Sequence, residues 1–234
     1  MSTILALDTS TENCSAALSI NGKVFVRELE SPREHTKRIL PMVDSLLAEA
    51  GIKLKDVDAL AFGRGPGSFT GVRIGTGIAQ GLAFGADLPM LPISTLAAMA
   101  QGAHRLHNVT DVLPAIDARM GEIYFAQYKL NESGVMTLVD NEIVVTPDDL
   151  IANFNHPEKA FHTLGTGWAT YTEKLAGLNV EELTACEGIQ FPCAQDMLVI
   201  AAAEFEKGNA VAPEDAMPVY VRDTVTWKKL PGRE

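Results

Sequence analysis

The stretch GRGPGSFTGVRIGTGIAQGLAFG, residues 63–85, holds eight of the nineteen glycines in this chain. Within a helix each glycine costs about 0.8–1 kcal/mol relative to alanine. A helix beginning near Ser68 and containing Gly71, Gly75, Gly77 and Gly81 therefore forfeits about 3–4 kcal/mol of propensity, which close packing must offset. Gly71, Gly75, Ala79 and Ala83 recur every fourth residue, as do Gly77, Gly81 and Gly85, so two rows of the helix surface lack bulky side chains. One row suffices for packing on the parent sheet. The second either packs internally as well or receives a helix from another polypeptide. A phosphate-cradling loop is the other reading, because Gly63, Gly65 and Gly67 would let backbone amides approach an anion at the helix start. The stretch fails the two standard patterns, however: Gly71 is followed by Val72 and Arg73 rather than Lys-Ser/Thr, and no GxGxxG stands at the strand-to-helix turn.

The flanking sequence says what this helix packs on. TILALDTS and SAALSINGKVFVREL are strand-forming runs, and Asn21-Gly22 is a favoured hairpin turn, so three antiparallel strands open the chain. In SPREHTKRILPMVDSLLAEAG, Ser31 reads as N-cap, Pro32 as first helical residue, Glu34 as the partner in a capping box and Gly51 as the left-handed stop. Ile39, Val43, Leu46, Leu47 and Ala50 form its apolar stripe, and Pro41 removes a backbone donor and predicts a kink. A buried strand, DVDALAFG, precedes the glycine-rich helix; LPMLPIS and a helix from about Ser94 to Arg105 follow it. The order βββαβα is that of ribonuclease H-like folds of the actin, hexokinase and Hsp70 superfamily. The second half repeats the theme imperfectly. DVLPAIDA and EIYFAQYKL flank a tight RMGE turn, VMTLVDNEIVV reads as one further strand, TPDDLIANF opens a short helix, and residues 195–207 have helical spacing. These elements predict an α/β protein of two ribonuclease H-like subdomains, mixed sheets flanked by helices. Their expected bounds are 1–105 and 106–220, with a charged tail at 221–234 and the helix at 195–207 able to pack back on the first unit.

Charge narrows the function classes. A net charge of −11 offers no broad phosphate-neutralising surface, so nucleic acid has to be held mainly by a partner. Three cysteines, Cys14, Cys186 and Cys193, form no CxxC pair and suit a reducing compartment. MSTILALDTS lacks the basic start and long apolar run of a signal peptide, and no run of about 18 apolar residues occurs, so a cytoplasmic protein away from membranes is expected.

Chemistry-bearing patterns are sparse. Asp8, Thr9, Ser10 and Thr11 occupy the first strand-to-strand turn, where short polar side chains surround a phosphate or hydrated magnesium ion, or simply form the turn. His104 and His107 stand three apart without an HExxH pattern and read as surface residues, and His35 reads as polar packing at a helix start. In DARMGEIY, Asp117, Arg119, Glu122 and Tyr124 surround a tight connection as paired hairpin charges, and Arg119 can also meet an anion.

Taken together, LALDTSTENCSAAL, HTKRILPMVDSLL, GRGPGSFTGVRIG, DARMGEIYFAQY and PVYVRDTVTWKK resemble the TsaB (YeaZ) family over nearly the whole chain. The resemblance implies two actin-like domains and a part in making N6-threonylcarbamoyladenosine in tRNAs that read codons beginning with adenine. It implies a partner, not a catalyst: one that pairs with the related transferase TsaD, helps recruit the ATPase TsaE, forms homodimers through the same two N-terminal helices, and meets tRNA only through the complex. TsaD-like proteins carry a metal-binding HxxxH on the helix after the glycine-rich one; here STLAAMA puts Thr95 and Met99 in that register, neither suited to a hard cation. IDARMGE replaces a glycine-paired phosphate segment. No cofactor is then required and no metal site expected, while Asp8, Thr9, Ser10, Gly65 and Gly67 leave room for weak ATP or ADP binding. The expected partner interface is Phe69, Val72, Arg73, Gly75, Thr76 and Gly77 from the glycine-rich helix with Pro41, Met42 and Ser45 from the helix before it. Replacing Gly75 or Gly77 by a bulky residue is expected to weaken pairing. The rival readings are a nucleotide-dependent transferase or kinase acting alone and, with no nucleophile-base pair to support it, a peptidase.

Overall fold

A computed structural model describes residues 2–222. Strands β1 (Ile4–Asp8), β2 (Asn13–Ile20) and β3 (Lys23–Glu30) form an antiparallel meander. Its tight turn puts Asn21 and Gly22 at φ 51° and 76°, the left-handed values that a two-residue hairpin demands. Helix α1 (His35–Ala50) crosses over to β4 (Ala59–Gly65), which lies parallel to β1, and α2 (Phe69–Gly85) leads to β5 (Met90–Ser94), giving the sheet order β3-β2-β1-β4-β5. Helix α3 (Thr95–His107) then leads into the second lobe.

That lobe contains β6 (Asp111–Arg119), β7 (Glu122–Phe125), β8 (Tyr128–Leu130), β9 (Met136–Leu138), β10 (Ile143–Val145), α4 (Pro147–Asn153), β11 (Asn155–Leu164), the short helices α5 (Thr166–Thr170) and α6 (Thr172–Leu175), β12 (Asn179–Ala185) and α7 (Ala194–Glu206). Its main path is β10-β7-β6-β11-β12, with β7 antiparallel to β6 and with β11 and β12 parallel to it. Position by position this is the first sheet again, so the chain is α/β with two ribonuclease H-like units. The repeat is imperfect in the sequence because the β8–β9 hairpin is inserted into the second copy.

Two local expectations need correction. VMTLVDNEIVV is two short strands in different pairings, β9 with β8 and β10 with β7. Between them the Glu142 carboxylate turns inward to accept from Ser94 and from Tyr128 Oη at 2.8 Å, and pairs with Arg64 at 3.1 Å. Helix α1 starts at His35 rather than after Ser31, because Arg33 takes φ 69° and breaks the helical path. The buried Ser31 hydroxyl therefore caps nothing, and Glu34 bonds Arg38 at 2.7 Å. Gly51 ends the helix in the left-handed region, φ 69°, as expected.

The apolar residues divide between the sheet faces. On one, Leu5, Leu7, Leu18, Leu60 and Phe62 meet Ile39, Val43 and Leu46 of α1 and Ala79 and Ala83 of α2. On the other, Ile4, Ala6, Ala61 and Ile93 meet α3 and α7, so the last long helix lies against β1, β2, β4 and β5 although it follows the second lobe in sequence. Ser94 joins the lobes: its hydroxyl oxygen accepts from Ala97 N–H at 3.2 Å, capping α3, and its proton goes to Glu142. Ser94→Ala removes a cap and leaves a buried carboxylate short of a donor, so urea unfolding is expected to show a loss of about 2 kcal/mol. A loss below about 0.5 kcal/mol would contradict this bridging role.

Candidate docking face and interlobe cleft

The two small-residue rows of α2 have different environments. A Cβ built on Gly71 would overlap the carbonyl oxygen of Thr9, and one on Gly75 would lie 2.7 Å from Thr9 Oγ1. Thr9 Oγ1 in turn donates to the Gly71 carbonyl at 2.7 Å. This row exists so that α2 can lie on the β1–β2 turn. Among the described residues, a Cβ built on Gly77, Gly81 or Gly85 would meet nothing within 4 Å. These glycines form an open row flanked by Phe69 and Phe84, which are 64% and 76% exposed. Because α1 covers the same sheet face beside α2, its outward Leu40, Pro41 and Ser45 extend the surface.

The expected interface residues therefore separate. Phe69, Arg73, Gly77, Pro41 and Ser45 are exposed, and Met42 is half-buried against the core. Val72, Gly75 and Thr76 are buried and do not belong to the outer face. At about 100° per residue they share a stripe with Gly71, Ala79 and Ala83, the stripe turned toward the sheet. The sequence already marks Gly81 and Gly85 as part of the second bare row; it misses the exposed Phe84 and Leu40, which stand outside that four-residue spacing. Arg73 lies flat over Phe69, 3.3 Å from the ring centroid, and makes no ion pair among the described residues.

Two of the candidate nucleotide residues line a cleft between the lobes, a cavity of about 840 Å³. Ser10 and Gly67 line it together with Thr11, Glu12, Asp117, Arg119, Tyr124 and residues 219–222; Asp8, Thr9 and Gly65 do not. Most polar groups of the first turn already have partners within the chain. Ser10 N–H and Oγ–H donate to Asp8 at 3.0 and 2.9 Å, Thr95 Oγ1 donates to Ser10 Oγ at 3.1 Å, and the Ser10 carbonyl accepts from Ser68 N–H at 2.7 Å. Gly63 and Gly67 serve the same self-packing: a Cβ on Gly63 would overlap the Asp8 carboxylate, and one on Gly67 the Ser10 carbonyl oxygen. Burial pushes the Asp8 carboxyl up to about 6, against the lowering effect of its Ser10 hydrogen bonds.

Across the cleft, the β6–β7 turn puts Arg119, Met120 and Gly121 at φ 65°, 58° and 82°. Arg119 pairs with Asp117 at 3.2 Å and reaches Glu12 of the first lobe at 3.3 Å. Thr95 and Met99, in the register of the metal-binding histidines, are fully buried; Thr95 holds Ser10, and Met99 packs beneath Gly165. His104 Nδ1 and His107 Nε2 each bond a backbone carbonyl, of Val109 and Glu187. The three thiols are buried, and burial raises Cys14 to about 11 and Cys193 to about 12, far from a reactive thiolate. Among the described residues no helix is long and apolar enough to cross a membrane.

Residues 28–229 match the family model of TsaD, described as tRNA N6-adenosine threonylcarbamoyltransferase. The chain is 50% identical to the tRNA threonylcarbamoyladenosine biosynthesis protein TsaB of Escherichia coli (strain K12), over 99% of each chain. It is also 50% identical to the protein of the same name from Haemophilus influenzae, over 99% of this chain and 98% of that one. Among solved structures, YeaZ from Pseudomonas aeruginosa superposes with a TM-score of 0.85 at 44% identity, covering 94% of this chain and all of the other. With the repeated sheet topology, the open glycine row and full-length identity at this level, the chain belongs to the TsaB (YeaZ) family.

Proposed function

We propose that this protein is a non-catalytic subunit in the formation of N6-threonylcarbamoyladenosine on tRNA, working as a docking platform for a TsaD-type transferase. The observation that carries this reading is the row Gly77, Gly81 and Gly85, open along its length between the exposed rings of Phe69 and Phe84. Three glycines on the solvent side of a helix forfeit about 2–3 kcal/mol of propensity with no internal contact to offset it. A second helix lying along that row offsets it by letting two backbones approach closely, and the flanking aromatic rings supply the buried area. A second copy of α1 and α2 fits the same surface, so homodimer and heterodimer compete for it. TsaE joins through the assembled pair, and tRNA is held by the complex because this chain carries a net charge of −11. The cytoplasm, where tRNA is modified, is its place of work.

Loss of catalysis is supported by the first turn, whose hydroxyls and carbonyl are bonded within the protein, and by Thr95 and Met99 in the histidine register. The cleft is large enough for a nucleotide, and weak ATP or ADP binding there is part of the proposal. No cofactor is required for docking.

Sedimentation velocity tests the docking face. Phe84→Asp places a charge on the outer face without touching the core and is expected to weaken both self-association and pairing with TsaD at least tenfold, with the melting temperature held. Undiminished association of this variant would remove the proposal's main support.

A further inference from the structure

Beyond α7 the chain doubles back along α2. Val211 exchanges backbone hydrogen bonds with Met90 at 2.8 Å, and Gln80 Nε2 donates to the carbonyls of Pro213 and Ala216 at 3.0 Å. Val219 N–H then donates to the Arg64 carbonyl at 2.8 Å, and a Cβ on Gly65 would lie 3.0 Å from the Val219 carbonyl oxygen. From that point the chain leaves the first lobe. Tyr220 leans on Phe69, ring centroids 5.8 Å apart, with the Arg73 guanidinium 5.0 Å from the Tyr220 ring. Arg222 reaches the second lobe, where it donates to the Ala118 carbonyl at 3.2 Å and pairs with Glu122. All four residues from Val219 to Arg222 line the cleft.

The two ends of this strap differ in kind. The near end is held by backbone hydrogen bonds and by the close approach at Gly65, whereas among the described residues the far end is held by the side chain of Arg222. Tyr220 is 45% exposed, so its stacking buries little area. A segment with one polar side chain as its distal anchor and little apolar burial opens at far lower free energy than the domain unfolds.

We propose that residues 219–222 form a latch over the interlobe cleft, hinged at Val219 and fastened by Arg222 to the β6–β7 hairpin, so that release of Arg222 from Glu122 and the Ala118 carbonyl exposes the cleft wall to a ligand of nucleotide size. The latch operates in the isolated chain; it shares the Phe69 ring with the docking face through Tyr220, while its fastening at Arg222 lies on the second lobe.

A thiol placed beneath the strap reads its opening without any ligand. Tyr124 is half-buried on the cleft wall and close enough to Arg222 to feel its charge, so Tyr124→Cys supplies the probe, and the three native thiols are buried. With the strap intact, a bulky maleimide is expected to label the introduced thiol slowly. Adding Arg222→Ala is expected to raise that rate at least tenfold, and Glu122→Gln, which loosens the fastening from the other lobe, is expected to raise it in the same direction. Labelling of the native thiols serves as the control for general unfolding and is expected to stay unchanged. Equal rates at the introduced thiol with and without Arg222, or labelling of the strap-intact protein as fast as a free thiol, would overturn the latch. An increase shared by the native thiols would do the same, since it would make Arg222 a global stabiliser.

Discussion

Gly71→Leu is expected to lower the unfolding free energy by at least about 3 kcal/mol, while Gly81→Leu leaves it unchanged or raises it by up to about 1 kcal/mol. The same substitution on one helix gives opposite results because the two glycines face different partners. At Gly71 the new Cβ collides with the Thr9 carbonyl oxygen, a backbone atom of the buried β1–β2 turn that has nowhere to move. At Gly81 a new Cβ meets nothing within 4 Å among the described residues, so the side chain gains helix propensity and projects outward. Urea unfolding of the two variants measures the difference. Association should rank them the other way, with Gly81→Leu folded and unable to pair. Equal stability losses at the two sites would mean that both rows pack internally and that no outer face exists.

The second large effect concerns Asp8. Its carboxyl is 1% exposed and pairs with no cation among the described residues, and burial raises it from 3.8 to about 6. An acid that holds its proton more tightly when folded than when unfolded makes the native state lose stability as pH rises from about 4 through about 6, after which the loss is constant. A shift of this size corresponds to about 3 kcal/mol. Asp8→Asn removes the ionisation while keeping an oxygen to accept from Ser10. The variant should be more stable than the parent by about 3 kcal/mol at pH 8, with the difference vanishing near pH 4. Denaturant midpoints across that range decide it. A variant less stable than the parent at pH 8 would mean that the ionised carboxylate is favoured in the folded state.

Much of this architecture is legible in local sequence signals. Asn21-Gly22, Gly51 and the capping Ser68 and Ser94 fix element ends through short-range geometry, and the apolar stripe of α1 follows helical spacing. The bare rows of α2 are legible as rows, but which of them faces inward depends on Thr9, 62 residues from Gly71, and no local pattern records such a contact. That is why the interface expected from the family resemblance includes Val72, Gly75 and Thr76, which are buried. The start of α1 misleads for a related reason. The Ser31–Glu34 pattern suits a capping box, yet Ser31 N–H donates to the Glu12 carbonyl at 3.0 Å and a left-handed Arg33 redirects the chain. The strap is not legible at all, since its contacts are single side chains spaced without period and its far anchor, Glu122, lies 100 residues away. Of the charged tail expected at 221–234, Val221 and Arg222 line the cleft, and 223–234 lie outside the described residues.

If docking is the whole contribution of this chain, it supplies an outer helix surface and no reacting group. Reconstituted threonylcarbamoyl transfer to tRNA, with the other components held constant, separates the two possibilities by comparing Gly81→Leu with Asp8→Asn. The docking-face variant is expected to lose most of the activity, and the variant of the buried first turn to retain that of the parent. Full activity with Gly81→Leu together with inactivity of a folded Asp8→Asn protein would refute the docking role.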